Sequence, residues 1–154
     1  MKTLALDLAT NTGFAVLANG TTTSGSVSFE RKSQEEHQGA RFLRFQRWLR
    51  DRIALDKPGV IVFEEPMGHF KSAAAGFIII GLRGIMLSTA SYYGIPVHGV
   101  PQTKLKKWAT GKGNAKKEDM ILAMRKRWPD LPFDTNDECD ALLLLRYWME
   151  QSGA

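Results

Sequence analysis

Four consecutive apolar residues, Val-Ile-Val-Phe at 60–63, set the strongest limit on how this chain folds. A strand with one face in water alternates apolar and polar residues, whereas a strand that is apolar at every position is covered on both faces. Such strands are typical of the parallel centre of an α/β sheet. A Lys-Pro-Gly break precedes the run, and Glu64-Glu65-Pro66 ends it. We therefore predict a buried central strand.

The segment before this strand supplies three more strands and a helix. Residues 4–9 and 13–17 are predicted strands joined by a polar turn, and residues 22–29, rich in Thr, Ser and Val, are a third. Apolar residues at 42, 45, 49 and 53 keep helical spacing. Ser33 and Glu36 offer a capping box that would start this helix.

The segment after the central strand is mostly helical, with one short strand. The predicted elements are a helix over 72–92, a strand over 97–100, and helices over 101–108, 115–127 and 136–150. Because strands and helices alternate here, we predict an α/β fold with a mixed five-stranded sheet flanked by helices. We expect one domain over residues 1–154.

Composition and charge favour some classes of protein and exclude others. The net charge of +5 and the pI near 9.5 favour an anionic partner. The single cysteine, Cys139, excludes an internal disulfide and a thiolate metal cluster within one chain. The apolar N-terminal stretch is too short for a signal sequence, and the stretch 76–87 is interrupted by glycines and Arg83. We therefore expect a cytosolic protein with no membrane partner.

Carboxylates stand at the ends or edges of three predicted core elements. Asp7 lies inside the first strand, Glu64 and Glu65 end the central strand, and Asp137 and Asp140 open the last helix. Because residues three positions apart share a helix face, the two aspartates lie on one stripe with core residues of that helix. A carboxylate on an inward stripe needs a cation or hydrogen-bond donors, since burying it unpaired is costly.

Each acid also has an ordinary structural explanation. Asp137 could cap its helix, Asp7 could accept hydrogen bonds from turn amides, and strand alternation lets only one of the two glutamates face a given side. Together, four acids from three distant segments favour a site for hard divalent cations such as Mg²⁺. Two such ions about 3.5–4 Å apart stabilise the attacking and leaving oxygens of an in-line phosphoryl displacement. A basic surface would attract a polyanion to such a site.

Four stretches resemble a known family. They are LALDLATNTGFAV at 4–16, VIVFEEP at 60–66, KLKKWATGKGNAKKEDM at 104–120 and NDECDALLLL at 136–145. In order and spacing, over nearly the whole chain, they resemble the RuvC-type Holliday junction resolvases of the RNase H-like superfamily, in a compact phage or prophage form. The basic helix followed by T-G-x-G-x-A-x-K is the most discriminating part, because many other enzymes share the RNase H-like fold.

The resemblance implies a fold, an activity and a site. It implies an RNase H-like fold and an endonuclease that resolves four-way DNA junctions, and other branched DNA, with two Mg²⁺ ions per active site and Mn²⁺ as a substitute. Glu64 is preferred over Glu65 because the family's acid directly follows the apolar run. Lys106 and Lys117 match the family's active-site lysines. The implied metal-binding and catalytic tetrad is Asp7, Glu64, Asp137 and Asp140.

The resemblance also implies a homodimer formed through the helix over 72–92. That helix is apolar nearly all round, so it is predicted to be buried on more than one side. A two-fold dimer would present two active sites to two symmetric strands. Burial within a monomer is the alternative. The implied location is the cytoplasm of a bacterium or of a phage-infected cell.

Six lysines crowd into residues 104–117 around two glycines. Glycines let a backbone approach a phosphate closely and lysines neutralise it, so we predict DNA contact, with a solvated helix face as the alternative. Phe70 or Met67 would take the place of the aromatic residue with which bacterial members contact the junction core, and His69 or Glu65 could assist at the site. The predicted DNA-binding residues are Lys104, Lys106, Lys107, Lys112, Lys116, Lys117 and Phe70.

Two arginine clusters have simpler interpretations. Arg41, Arg44, Arg47 and Arg50 recur every three residues and predict a solvated helix face, with contact to a duplex arm as the alternative. The Arg-Lys-Arg cluster at 125–127 is predicted to complement the dipole of a helix C-terminus, with contact to DNA as the alternative.

Three other functions fit parts of the pattern. The nearest is another RNase H-like nuclease that acts on RNA or hybrids. The second is a non-catalytic module that binds DNA junctions, against which the four acids argue. The third is a relative of the sugar kinase and actin-type ATPases, which need two copies of such a fold where 154 residues hold one.

Overall fold

The computed structural model describes residues 1–66 and 70–153. Its five-stranded sheet has the order β3-β2-β1-β4-β5. Strand β1 runs antiparallel to β2 and parallel to β4, and β4 runs parallel to β5. The strands are β1 (Thr3–Asp7), β2 (Asn11–Ala18), β3 (Thr21–Ser28), β4 (Val60–Glu65) and β5 (Val97–Pro101). The prediction of a mixed five-stranded sheet is confirmed, whereas the single-domain boundary at 1–154 stays a prediction.

Helices cover both faces of this sheet. One face carries α1 (Gln38–Asp56) and α2 (Ala73–Tyr92). The other face carries α3 (Gln102–Thr110), α4 (Lys117–Arg127) and α5 (Asn136–Ser152). The strand β4, which lies between β1 and β5, is buried at Val60, Ile61, Val62 and Phe63, as its unbroken apolar run predicts. Two separate cores follow, one between each helical layer and the sheet.

Strand alternation decides which face each residue of β1 joins. Leu4 and Leu6 lie in the core under α1 and α2, whereas Ala5 lies in the core under α5. Asp7 continues the row that contains Ala5, because alternate residues of a strand share a face. The carboxylate of Asp7 is therefore carried to the α5 side of the sheet.

The helix α5 is buried around its whole circumference in its middle. Residues 141–145, Ala-Leu-Leu-Leu-Leu, are fully buried, and the small residues Ala5 and Ala15 face them from the sheet. A fully buried leucine contributes about 1.5–3 kcal/mol relative to an exposed one, so this helix is firmly anchored. Cys139 is buried in the same core.

The capping box predicted at Ser33 does not start α1. The Glu36 amide donates to the Ser33 carbonyl at 3.3 Å, which makes a turn, and the helix begins at Gln38. The actual cap is His37, whose Nδ1 accepts a hydrogen bond from the Gly39 amide at 3.0 Å. This prediction was wrong because the motif forms a separate turn ahead of the helix, and the side chain of His37 takes the cap.

The arginine face of α1 is only partly solvated. Arg41 is buried and donates from Nε to the Phe29 carbonyl at 3.0 Å. Arg44 pairs with the Glu36 carboxylate at 2.9 Å and donates to the Glu30 carbonyl at 2.7 Å. The first half of this face therefore holds the β3–α1 connection, so the solvated-face prediction was wrong for Arg41.

The helix α2 starts at its N-cap Ser72 and packs one side on the sheet. Its opposite side exposes Phe77, Ile80 and Leu87. With 20 residues and a mean hydropathy of 1.7, it is long and apolar enough to cross a membrane by length and composition, a weak criterion that core helices of globular proteins also meet. The helix extends beyond the stretch 76–87, and its residues Ile78, Leu82, Met86 and Ala90 belong to the core under α1 and α2.

Candidate active site

One cavity of about 500 Å³ gathers the acids predicted for the site. It opens where β1 and β4 end and where α5 begins, so residues far apart in the chain meet there. Among its lining residues are Asp7, Glu64, Asp137, Asp140 and Lys117. The structure thus brings together, in one cavity, all four acids of the predicted tetrad and one of the two predicted active-site lysines.

The two glutamates at the end of β4 point to opposite sides. Glu64 lines the acid cavity. Glu65 lies over Gly99 of β5, where an added Cβ would come within 2.2 Å of its carboxylate, and it pairs with Arg83 of α2 at 3.7 Å. Alternation along the strand therefore gives the cavity one glutamate, and it is the one that directly follows the apolar run.

Hydrogen bonds at the start of α5 position Asp137 and Asp140. Thr135 is the N-cap, and its Oγ1 accepts from the Glu138 amide at 3.1 Å. The Glu138 carboxylate accepts from the Ser24 hydroxyl at 2.7 Å and from the Asp134 amide at 2.9 Å. The first turn of α5 is thereby tied to β3 and to its own preceding loop.

Glu138 was not singled out from the sequence. The available signal was Thr135-x-x-Glu138, the capping-box pattern directly before an apolar run. Unlike the Ser33 motif, this one does cap a helix. In the usual capping box the glutamate accepts a hydrogen bond from the amide of the N-cap residue. Glu138 instead accepts from the amide of Asp134, the residue before the N-cap, and also from the hydroxyl of Ser24 in β3.

Gly13 lets the start of α5 approach the sheet. It is the β2 partner of Asp7, and a Cβ at this position would lie 1.9 Å from the Asp137 carbonyl oxygen. No side chain fits in that gap. The glycine therefore sets the distance between the strand that carries Asp7 and the helix that carries the other two aspartates.

Burial and mutual repulsion raise the pKa values of three acids. Burial, followed by repulsion from Glu64, Asp140 and Asp137, holds the pKa of Asp7 well above its ordinary value. Burial and then repulsion from Asp140 raise the pKa of Glu64 to about 7. Burial raises the pKa of Asp140 to about 6, against the attraction of Lys117. These acids repel one another, and the positive charge beside them compensates that repulsion only in part.

Two lysines and one amide partly offset that charge. A hydrogen bond with Gln102, and then the charges of Lys106 and Lys117, act to lower the pKa of Glu64. Lys106 therefore lies near the acids although it does not line the cavity. Gln102, Asn11 and Lys71 do line it and were not predicted from the sequence, because nothing in their local pattern distinguishes them from ordinary polar residues.

The acids have the chemistry that a hard cation requires, but their carboxylates do not converge on one point in this structure. Within residues 1–66 and 70–153, no group of three His, Cys, Asp or Glu side chains is arranged to hold a metal ion. The donor set is nevertheless all carboxylate, which Mg²⁺ and Mn²⁺ prefer, and its mutual repulsion would be relieved by a cation. The residues present therefore fit such an ion once the carboxylates converge on it.

The other predicted contacts are distributed around the cavity rim and beyond it. Phe70 lines the cavity and packs on Gly76 at the start of α2. Lys104 and Lys116 are exposed, and Lys107 and Lys112 line a different cavity. The predictions for Met67 and His69 fall outside the residues that the structure describes.

Comparisons with known proteins identify similar chains and structures. No protein-family model matches the chain. It is 28% identical over 116 residues, 74% of each chain, to the crossover junction endodeoxyribonuclease RuvC of Synechococcus sp. WH7803. It is 25% identical over 115 residues, 74% of this chain and 73% of the relative, to the RuvC of a Prochlorococcus marinus strain.

Solved structures agree with these relatives. Thermus thermophilus RuvC matches with a TM-score of 0.73 at 20% identity, covering 99% of this chain and 97% of that one. The same protein in complex with a Holliday junction substrate matches with a TM-score of 0.75 at 19% identity, covering 99% and 96%. The yeast mitochondrial Holliday junction resolvase matches with a TM-score of 0.65 at 13% identity, covering 98% and 78%. The predicted resemblance is confirmed: this chain is similar in sequence to RuvC proteins and has their RNase H-like fold.

Proposed function

We propose that this chain is an endonuclease that resolves four-way DNA junctions, and other branched DNA, by hydrolysing phosphodiester bonds. One observation carries the proposal: four carboxylates from β1, β4 and α5 line a single cavity with Lys117, in a chain with the RuvC fold. The relatives are named as crossover junction endodeoxyribonucleases. One structural neighbour is a complex with its Holliday junction substrate.

Asp7, Glu64, Asp137 and Asp140 would hold the metal ions in this proposal. Two bound Mg²⁺ ions, or Mn²⁺ in their place, would polarise the scissile phosphate and activate the attacking water. Carboxylates are the right ligands for this task, and the mutual repulsion of Asp7, Glu64 and Asp140 is charge that the lysines beside them offset only in part. Gly13 and Glu138 are positioning residues that hold α5 against the sheet.

Lys117 and Lys106 would stabilise the negative charge that develops on the phosphate. Both lie close enough to the acids to shift their titration, so a phosphate bound beside those acids would be within their electrostatic reach. Lys104, Lys107, Lys112 and Lys116 would contact the DNA backbone further away. Phe70, at the cavity rim, would pack on the junction core.

A homodimer completes the proposal, because resolution needs two nicks on opposing strands. The exposed side of α2 carries Phe77, Ile80 and Leu87, and at Gly84 nothing lies within 4 Å of an added Cβ. These residues fall on one stripe that is open to a second helix, so a two-fold pairing of α2 would bury it. We place such a dimer in the cytoplasm, where its DNA substrate would be found.

The decisive experiment incubates the purified protein with a four-way junction, a fork and a linear duplex, with Mg²⁺ and with a chelator. We expect paired nicks in opposing strands of the junction only when Mg²⁺ is present. Asp140→Asn and Glu64→Gln should lower cleavage by about 100-fold or more while junction binding persists. The matched control Glu65→Gln should cleave within a few-fold of the unmodified protein, because Glu65 faces Arg83.

Several outcomes would overturn the proposal. Cleavage of RNA or hybrid in preference to the junction would favour another RNase H-like nuclease. Junction binding without cleavage by the unmodified protein would favour a non-catalytic module. Undiminished nicking by Asp140→Asn would remove the assignment of the acid cavity.

A further inference from the structure

A second cavity, of about 770 Å³, lies between α3 and α4 and is basic. It is called the α3–α4 groove here, and its lining includes Lys107, Thr110, Lys112, Leu122, Lys126 and Arg127. All four cationic residues are exposed. The one acid that lines it, Asp119, already accepts a hydrogen bond from the Lys116 amide at 3.0 Å at the start of α4. The groove therefore carries a net positive charge.

The α3–α4 groove is separate from the acid cavity but begins beside it. The two cavities share no lining residue. Lys106 acts on the acids while Lys107 lines the groove, because successive residues of a helix point about 100° apart. Lys117 opens α4 at the acid cavity, and Arg127 ends it about 15 Å away, at 1.5 Å per residue. That length corresponds to about four base pairs of a duplex strand.

Trp108, which lines the groove, packs in an aromatic cluster. Trp108 stacks on Trp128 at 6.1 Å between ring centroids and meets Tyr147 edge-on at 5.5 Å. The Arg127 guanidinium lies 4.7 Å from the Trp108 ring and donates to the Trp108 carbonyl at 3.3 Å. A cation held in this way loses little freedom when it contacts an anion. Gly111, with φ of 86°, ends α3 in a left-handed conformation and leaves the groove open beside it.

We propose that the α3–α4 groove binds the phosphodiester backbone of a duplex arm as it leaves the cleavage point, and that this contact contributes to substrate affinity. The inference rests on the proposed function, since it takes DNA to be the substrate. A row of exposed cations, leading away from the acids over about four base pairs, suits a regularly spaced polyanion, and contact with the Trp108 ring holds one of these cations, Arg127, in place. Lys126 and Arg127 thereby gain a role beyond complementing the helix dipole.

The first test compares two double variants that each remove two positive charges. Lys112→Gln with Lys126→Gln removes charge from the groove. Lys2→Gln with Lys57→Gln is the matched control, at the opposite end of the sheet where the Gly59 amide donates to the Lys2 carbonyl. Junction Kd is measured by fluorescence anisotropy in a chelator at several salt concentrations, after thermal melting shows that both variants are folded.

We expect the groove variant to bind the junction about 10-fold more weakly at low salt, with a salt slope smaller by about 2, since each lost phosphate contact removes about 0.9. The control should stay within twofold of the unmodified protein. Equal Kd values and slopes for the groove variant and the control would overturn the inference.

The second test locates the contact on the DNA. Neutral methylphosphonates replace single phosphates at successive positions along one arm. At positions about four base pairs from the cut, the unmodified protein should lose about 3-fold or more in affinity and the groove variant less than 1.5-fold. If the loss of affinity caused by the methylphosphonate is the same for the groove variant as for the unmodified protein at every position, the groove contacts no phosphate and the inference is overturned.

The two proposals fail in different ways. If the unmodified protein cuts the junction and the groove variant matches the control, only the groove inference is wrong. If the unmodified protein binds the junction through the groove and never cuts it, the groove inference holds and the proposed activity is wrong. If it binds no junction at all, both are wrong.

Discussion

At the scale of single residues, the acid cavity places carboxylates where a negative charge is unfavourable. Asp7, Glu64 and Asp140 are held where their charged forms are disfavoured, by burial and by one another. A protein gains nothing in stability from this arrangement. Such carboxylates are typical of sites whose function needs a cation.

The stability of the metal-free protein should therefore fall as pH rises. Because the pKa of Glu64 is raised from 4.5 to about 7 in the folded state, the folded protein binds more protons than the unfolded chain between those values. Its contribution to stability is present below about pH 4.5 and is lost as pH rises through about 7. Glu64→Gln should remove this loss and stabilise the metal-free protein at about pH 8 by about 1–3 kcal/mol.

Urea unfolding in a chelator, at about pH 5 and about pH 8, measures this change. Glu65→Gln is the control, since Glu65 is half-buried beside Arg83, on the other side of the strand from the acid cavity. Added Mg²⁺ should stabilise the unmodified protein more than Glu64→Gln, because the substitution removes a ligand. A free energy of unfolding that rises between the two pH values would contradict the account of these acids.

At the scale of elements, the site depends on how closely α5 approaches the sheet. The buried leucines anchor the helix, Glu138 ties its first turn to β3, and Gly13 leaves the gap that its backbone occupies. Each device places Asp137 and Asp140 relative to Asp7 without touching a substrate. The strands and the helix could form without this approach, but the acids would then not share a cavity.

Gly13→Ala should separate the helix from the strand. An added Cβ would lie 1.9 Å from the Asp137 carbonyl, which is backbone and cannot move alone, so we expect a loss of about 1–3 kcal/mol in stability. We also expect junction cleavage to fall by about 100-fold or more, because small displacements of reacting groups are costly. Gly25→Ala is the control, since its Cβ would meet only the Phe14 ring at 3.0 Å.

Denaturant unfolding and single-turnover cleavage check both effects of Gly13→Ala. A variant that lost stability but kept full cleavage of the folded fraction would show that the acids do not need this approach.

At the scale of the whole molecule, both helical layers line the acid cavity, and each layer has a further surface of its own. The layer of α3, α4 and α5 supplies the acid cavity with Asp137, Asp140 and Lys117 and forms the α3–α4 groove, whereas Ala75 and Ile79 of α2 line the cavity from the other layer. The layer of α1 and α2 leaves Phe77, Ile80 and Leu87 exposed on the side of α2 that faces away from the sheet. Apolar side chains aligned in this way are typical of a surface that pairs with another protein surface.

Ile80→Asp should convert the proposed dimer to a monomer. Ile80 is 60% exposed in the single chain, so the substitution should leave the fold intact while placing a charge in the pairing surface. Leu55→Asp is the matched control, because Leu55 is 72% exposed on the other helix of this layer. Sedimentation analysis should give twice the 17.2 kDa chain mass for the unmodified protein and the control. An unmodified protein that sediments as a monomer would rule out the dimer.

The sequence by itself determined the elements of this protein and the chemistry available to it. The unbroken apolar run at 60–63 required a strand buried on both faces, and the structure has that strand inside a mixed sheet, between β1 and β5. The spacing of Asp137 and Asp140 put both on one side of a helix. These inferences succeed because helical and strand periodicity, and the preference of carboxylates for hard cations, depend on residue type and local spacing.

Only the tertiary structure decided which of two similar sequence motifs caps a helix. The patterns Ser33-x-x-Glu36 and Thr135-x-x-Glu138 have the same form, yet only the second caps a helix and joins it to a distant strand. Likewise, the role of Gly13 depends on a carbonyl 124 residues away in the chain. Such contacts arise from the packing of distant segments, which local periodicity does not encode. For the same reason, the separation of the lysines between the acid cavity and the α3–α4 groove became visible only once α3 and α4 had packed against each other.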